Sequence, residues 1–210
     1  MGAELEQKYV VDSPRPWAVQ TQLLSRLSRA GYQVTFLEEK PQRDTYFDTP
    51  EGDILKGGGS LRLREKGKKN LLCVKAMLRS GEGRVLRREE ELVLGREAEP
   101  MPFLRDNLPG VDLERLLPTA VVVNRRRTYE VSRTGGGRFE LAFDDVTYRD
   151  PDTGRTQRER QVELEVLSGA QADLERAVSV LRLPELRPAA ESKYQRAVRL
   201  TAGSEKQERK

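Results

Sequence analysis

Histidine is absent from all 210 residues. That removes histidine metal sites, histidine-dependent triads and the usual acid–base group of neutral pH. Cysteine occurs once, as Cys73. A single thiol excludes an internal disulfide and fits a reducing compartment, so a cytoplasmic location is expected. Aromatic residues are 6% of the chain, and most fall at core positions. A nucleic-acid protein would want aromatics interleaved on a basic face, so nucleic acid is not an expected partner. The charge excess is small, net +4 with a pI near 9.2, and does not argue for nucleic acid either. No run approaches the roughly 18 consecutive apolar residues of a membrane span. The first residues lack the layout of a secretory leader. A membrane partner is therefore not expected.

Charge itself is plentiful, at 34% against 36% apolar, and it is organised. Glu4, Glu6 and Lys8 alternate with Leu5, Gln7 and Tyr9. That period of two is the mark of a strand with its charges on one face. The pattern returns at Arg62 and Arg64, at Lys75, at Arg87, Glu89 and Glu91, at Asp144, and at Glu163 and Glu165. A sheet wetted on one side explains it. So does a sheet closed into a barrel with a polar interior.

In chain order, Ser13 with Pro14 reads as a helix start, followed by a stripe of Trp17, Leu23, Leu24 and Leu27 and a stop at Gly31. Trp17 is assigned to the core. Residues 32–36 read as a strand, 38–44 as a polar connection and 44–50 as a short strand. Gly57–Gly58–Gly59–Ser60 is not a phosphate loop, because no Gly-Lys-Ser/Thr follows and a strand comes next. It reads as a turn. Strands follow at 60–66, 70–77 and 84–94. Residues 96–118, broken by four prolines, read as a small helical insertion. Strands at 119–132, 138–148 and 158–167 precede a helix opened by Ser168 and stopped by Pro184, then a last helix over 192–200. Residues 1–203 are expected to form one domain, with 204–210 a flexible tail.

The charges on the inward parity are the acids Glu4, Glu6, Glu89, Glu91, Asp144, Glu163 and Glu165. The bases are Lys8, Arg62, Arg64, Lys75, Arg87 and Arg126, with Lys193 near the last helix. Arg125 and Arg127 compete with Arg126, and Asp145 with Asp144; parity favours Arg126 and Asp144. So many charges cannot sit in a dry interior, because unpaired buried ions cost several kcal/mol each. A wet tunnel that holds a ligand is expected. Arginine and lysine on one wall match phosphate oxygens. Carboxylates beside them would repel phosphate unless a cation intervenes, and oxygen donors without histidine or cysteine suit Mg²⁺ or Mn²⁺. The combination selects a metal–polyphosphate substrate, with a two-metal site able to activate water.

These elements together resemble the CYTH domains, the triphosphate tunnel metalloenzymes. Glu4-x-Glu6-x-Lys8 opens the match. Tyr46–Phe47–Asp48–Thr49, Arg62 and Arg64, Val74–Lys75, Arg87-x-Glu89-x-Glu91, Arg126, Asp144–Asp145, Glu163-x-Glu165 and Ser192–Lys193–Tyr194 follow in order. The resemblance implies an α+β, mainly β, eight-stranded antiparallel closed tunnel barrel with helices packed outside. It implies that Lys8, Arg62, Arg64, Lys75, Arg87, Arg126 and Lys193 bind the triphosphate. It further implies that Glu4, Glu6, Glu89, Glu91, Asp144, Glu163 and Glu165 hold Mg²⁺ or Mn²⁺ or position water. Lys8, Glu4 and Glu6 are the catalytic candidates, with Lys8 either an electrostatic group or a base; the electrostatic role is favoured. The expected function is metal-dependent hydrolysis of tripolyphosphate, thiamine triphosphate or a nucleoside triphosphate. The alternatives are a class IV adenylyl cyclase and a non-catalytic polyphosphate sensor. A small-molecule triphosphate is the expected partner, and pairing of two copies stays open.

Overall fold

The computed structural model describes residues 5–79 and 85–202, apart from the side chains of 77–79, 85–87 and 201–202. Strand β1 (Glu6–Val11) leads into helix α1 (Pro16–Arg29) and strand β2 (Gln33–Asp48). One turn of helix, α2 (Asp53–Lys56), precedes β3 (Ser60–Lys66), β4 (Lys69–Arg79) and β5 (Val85–Leu94). The insertion is helix α3 (Pro100–Asn107) and a 3₁₀ turn (Leu113–Arg115). Then come β6 (Leu117–Ser132), β7 (Arg138–Arg149), β8 (Thr156–Ser168), α4 (Gln171–Val180), β9 (Leu186–Pro188) and α5 (Lys193–Ala202). No helix among the described residues is long and apolar enough to cross a membrane.

The nine strands of the described residues form one antiparallel sheet in the order β5-β4-β3-β2-β6-β7-β8-β1-β9. Strands far apart in that order line one cavity: Glu6 and Lys8 of β1 face the same space as Lys75 of β4 and Glu89 of β5. The sheet is therefore curled into a tunnel. Among the described residues no ladder joins its two ends.

Side chains alternate between the tunnel and the outside, and the outside is where most of the core sits. Val19, Leu23 and Leu27 of α1, Leu174 and Ala177 of α4, and Leu181 just after it cover Val131, Phe139, Leu141, Val162 and Leu164. Leu23 and Leu27 have no exposed surface, and truncating either to alanine would cost about 2–5 kcal/mol. Leu104 of α3 and Ile54 of α2 cover Leu61, Leu72 and Val74 on the other flank. Helix α5 differs. It packs on Tyr46, Ala120, Val122, Val146 and Tyr148, which share the tunnel's parity. It thereby fills one end of the tunnel with apolar side chains.

Four local expectations change. Ser168 is the last residue of β8, and α4 starts at Gln171 after Ala170. Helix α1 starts two residues later than Ser13–Pro14 suggests: Pro16 takes its first turn, and the Ser13 hydroxyl instead accepts from the Arg15 N–H. Trp17 is 68% exposed. It lies about 200° around the helix from Val19, at 100° per residue, and so faces away from the sheet. Residues 33–48 are one long strand, because β6 pairs with nearly all of it, from Gln33↔Ser132 to Asp48↔Leu117. The polar run 38–44 looked like a connection because a strand beside a wet interior needs few apolar residues. Pro41 is accommodated since β3 pairs only with residues 43–47, leaving its other side open. The short β9 was not foreseen.

Candidate active site: a charged tunnel

Register puts the charges opposite one another. On β1 and β8 the Cα partners are Glu6↔Glu165 and Lys8↔Glu163. On β6 and β7 they are Arg126↔Asp144, and on β4 and β5 Lys75↔Glu89. Each of these residues shares the inward parity, so curling the sheet gathers them. The cavity is about 230 Å³ and is lined by Glu6, Lys8, Arg62, Arg64, Lys75, Glu89, Arg126, Glu163, Glu165 and Lys193.

On one wall, Arg64 donates twice to Asp44, Nε to Oδ1 and Nη2 to Oδ2, both at 2.8 Å. Glu89 bridges two cations: Arg62 Nη2 at 3.0 Å and Lys75 Nζ at 2.7 Å. On the facing wall, Arg126 donates to Asp144 through Nε and Nη2, both at 2.8 Å, and also to Glu163. Lys193 reaches in from the first turn of α5 to Asp144 Oδ2 at 2.9 Å and Glu163 Oε1 at 2.5 Å. Asn124 adds an amide donor to Asp144 at 2.8 Å. Near the β1 edge, Lys8 Nζ stands 3.0 Å from Glu6 Oε1.

The electrostatics follow from this pairing. Burial alone would raise Asp144, whose side chain has no exposed surface, but Lys193 and Arg126 hold it well below the usual carboxylate range. Burial also works against Glu163, and Lys193 and Arg126 bring it down to about 2. Burial would lower Lys193, yet Asp144 and Glu163 raise it above the ordinary lysine value. The carboxylates are thus charged and the lysine is an ammonium at neutral pH. Cys73 is different. Burial pushes its thiol up to about 11 against the pull of Arg62, so it is no nucleophile.

One turn and one helix cap border the closed end. The turn after α2 brings Gly58, Gly59 and Ser60 to the cavity rim. Gly58 has φ +76°, and a Cβ on Gly59 would lie 2.7 Å from the Lys75 carbonyl oxygen, so a side chain would be strained at either position. Ser192 and Gln195 form a capping box: the Gln195 N–H donates to Ser192 Oγ at 3.2 Å, and the Ser192 N–H to Gln195 Oε1 at 2.8 Å. That box starts α5 at Lys193.

Most of the expected site residues meet in the tunnel. Arg126 faces inward, while Arg125 and Arg127 both pair with Glu39 outside. Asp144 joins the inner cluster, while Asp145 lies 3.7 Å from Arg160. Glu91 is away from the cavity lining, where its Oε1 accepts from Cys73 Sγ at 3.2 Å. Glu4 lies outside the described residues, as does the side chain of Arg87. Asp44, Gln42 and Asn124 line or brace the tunnel and were missed. Gln42 falls in the stretch read as a connection, and Asp44 at the point where that stretch meets the short strand 44–50. Asn124 stands two residues before Arg126 and so on the same face.

Solved structures share this architecture. A candidate adenylate cyclase from Bacillus halodurans aligns with a TM-score of 0.62 at 22% identity, covering 92% of this chain and 96% of that one. A Hippeastrum protein, a candidate adenylyl cyclase with a dominant triphosphatase activity, aligns with a TM-score of 0.59 at 18% identity, covering 94% and 96%. A candidate adenylate cyclase from Vibrio parahaemolyticus gives 0.52 at 19%, covering 92% and 96%. At these identities the likeness is one of fold. No curated protein sequence matches the chain. The family model of the CYTH domain matches residues 4–198, and the chain belongs to that family.

Proposed function

We propose that this chain is a divalent-metal-dependent triphosphatase that hydrolyses a terminal phosphoanhydride bond inside the tunnel. The observation that carries the reading is the cation set. Lys8, Arg62, Arg64, Lys75, Arg126 and Lys193 converge on one cavity from β1, β3, β4, β6 and α5. Guanidinium forks and ammonium groups on opposite walls suit a chain of phosphates lying between them. The same fold carries a dominant triphosphatase activity in the Hippeastrum protein, so the reaction is within the fold's reach.

The carboxylates argue for a metal complex of the anion over the bare anion. Glu6, Asp44, Glu89, Glu163 and Glu165 line the cavity with the six cations, and Asp144 lies behind Arg126. The interior is close to neutral, so a naked polyphosphate would meet as much repulsion as attraction. Glu6 and Glu165 stand directly opposite each other, a like-charge pairing that is unfavourable alone. Oxygen donors of this kind fit a hard divalent ion. Among the described residues no three carboxylate or thiol side chains already gather as a metal cluster; Asp144 and Glu163 lean on Arg126 and Lys193 instead. We assign Glu6, which also pairs with Lys8, and its register partner Glu165 as the residues that would hold Mg²⁺ or Mn²⁺, with Glu4 as a further donor. When bound, a divalent ion supplies neutralisation of phosphate charge and eases ionisation of the attacking water.

The chain's own residues do the positioning. Arg62, Arg64 and Lys75 grip one side of the triphosphate, and Arg126 and Lys193 the other. Lys8, already matched to Glu6, serves as a fixed charge facing the phosphates. Hydrolysis is preferred over cyclisation because, among the described residues, the lining offers a nucleobase no open aromatic platform. Its two aromatics, Tyr46 and Tyr194, are each 2% exposed and stack on each other.

The test is an assay of purified protein with Mg²⁺ or Mn²⁺ against tripolyphosphate, thiamine triphosphate and ATP, scoring orthophosphate, pyrophosphate and cyclic AMP separately. Orthophosphate release that stops in excess chelator is the expected result. Cyclic AMP with pyrophosphate would make the protein a cyclase. Metal-independent binding without turnover would make it a sensor.

A further inference from the structure

Asp48 has no exposed surface and belongs to none of the tunnel's ion pairs described above. It ends β2, and its carboxylate accepts four hydrogen bonds. Oδ1 takes the N–H groups of Thr49 and Ile54, and Oδ2 takes the N–H of Leu55, each at 2.9 Å. Oδ2 also takes the hydroxyl of Tyr194, at 2.9 Å. A carboxylate only accepts, so Tyr194 gives it its proton and the Thr119 hydroxyl, 2.9 Å away, donates to Tyr194 in turn. Burial raises the Tyr194 phenol well above its ordinary value, which keeps that proton in place. The Tyr194 ring lies flat on Tyr46, 4.8 Å between centroids and 1° between planes.

This hub joins the two elements that border the blind end of the tunnel. Through three backbone N–H groups it fixes the start of α2, hence the glycine turn whose rim the substrate would meet. Through Tyr194 it fixes the second residue of α5, next to Lys193. Lys193 is drawn inward by Asp144 and Glu163, and nothing in those two contacts sets how far α5 follows. Farther along α5, Ala197 packs in the apolar cluster and Arg196 pairs with Glu159; beside Lys193 itself, the flat stack on Tyr46 gives no directional hold along the ring plane. A directional hydrogen bond to a carboxylate anchored on β2 does resist translation.

We infer that Asp48 and Tyr194 are a positioning pair that sets the depth of α5 and so the reach of Lys193 toward a bound phosphate. The inference rests on the proposed triphosphate site for its consequence, though not for its geometry. A shift of about 1 Å in a positioned cation is enough to degrade a site.

The experiment uses Tyr194→Phe in the full chain, which keeps the ring, the stack and the three backbone bonds to Asp48. The first readout is acetylation of Lys193 by acetic anhydride, measured by mass spectrometry against Lys75 in the same sample. The ratio is expected to rise severalfold, because a mislaid Lys193 leaves its carboxylates. The second is tripolyphosphate affinity. Kd and KM should weaken roughly 3- to 10-fold, the worth of one hydrogen bond, with kcat nearly unchanged. In a Lys193→Ala background the same substitution should add nothing, since the group it positions is gone. A merely structural role would lower the melting temperature in both backgrounds and move neither the ratio nor the coupling. Should Tyr194→Phe fail to fold, Asp48→Asn, which keeps the Oδ1 bonds, takes its place. An unchanged Lys193 ratio overturns the inference whatever the activity. A raised ratio in a protein whose wild type neither binds nor hydrolyses tripolyphosphate leaves the positioning pair standing and removes the proposed function instead.

Discussion

Arg125, Arg126 and Arg127 follow one another on β6, and the middle one lives in another environment. The Arg126 side chain is 20% exposed and serves two buried carboxylates, Asp144 and Glu163. Arg125 is 73% exposed and Arg127 40%, and both share the single carboxylate of Glu39 on the outside. One step along a strand turns a side chain through the sheet. The difference teaches that identity carries little here and face carries nearly all. The inner arginine is held by desolvated, directional bonds, while its neighbours make surface pairs that solvent and salt weaken.

The sharpest way to break that comparison is to truncate each residue in turn. Arg126→Ala should destabilise the fold by roughly 2–4 kcal/mol in chemical denaturation, because it strips a fork from two buried carboxylates. Lys193 remains on both, which keeps the loss below that of a fully orphaned charge. Arg125→Ala should leave the denaturation midpoint within error. Equal effects would erase the distinction between the faces.

The same contrast applies to the acids. Glu165→Gln should raise the Mn²⁺ or Mg²⁺ concentration for half-maximal activity roughly 10-fold, with a matching loss in Mn²⁺ affinity read by calorimetry. Asp145→Asn, on the outer face beside Arg160, should change neither. A Glu165→Gln protein with wild-type metal affinity would remove Glu165 from the metal site.

A smaller effect is set by pH. Glu163 and Asp144 are both depressed in the folded chain. Depressed acids stabilise the native state above the unfolded value, and that stabilisation fades as pH falls through the folded one. For Glu163 the window runs from its ordinary 4.5 down to about 2, and Asp144 extends it lower. Thermal melts at pH 7, 4 and 2.5 should show the fall beginning below about 4.5, and Glu163→Gln should flatten it. An identical slope in the variant would mean that other acids govern it. Smallest of all, Trp17→Ala should move stability by no more than about 0.5 kcal/mol, since the ring faces solvent.

Parity made much of the tunnel readable before any coordinates. Arg62 and Arg64, Lys75 and Glu89, Arg126 against its neighbours, Asp144 against Asp145, and Glu163 with Glu165 all follow from a period of two. Parity is harder to see where the run is almost wholly polar. Gln42 and Asp44 sat in a run too polar to look like a strand, although a strand flanking a wet cavity has no need of apolar side chains. Trp17 lies outside the core for a related reason: its angle on the helix, not its hydrophobicity, decides its face. The role of α5 was hidden too. Its amphipathic stripe reads like that of any outer helix, and only the curl of the sheet reveals that its partners are tunnel-face residues.

The measurement that bears most directly on the central claim is tripolyphosphate hydrolysis by Arg62→Ala. The fold should survive, because Glu89 keeps Lys75 and Asp44 keeps both bonds from Arg64. With near-native melting, kcat/KM should fall roughly 100-fold, as for loss of one charge-stabilising donor in a closed site. A folded Arg62→Ala protein with unchanged kinetics would contradict the tunnel as the site of triphosphate chemistry.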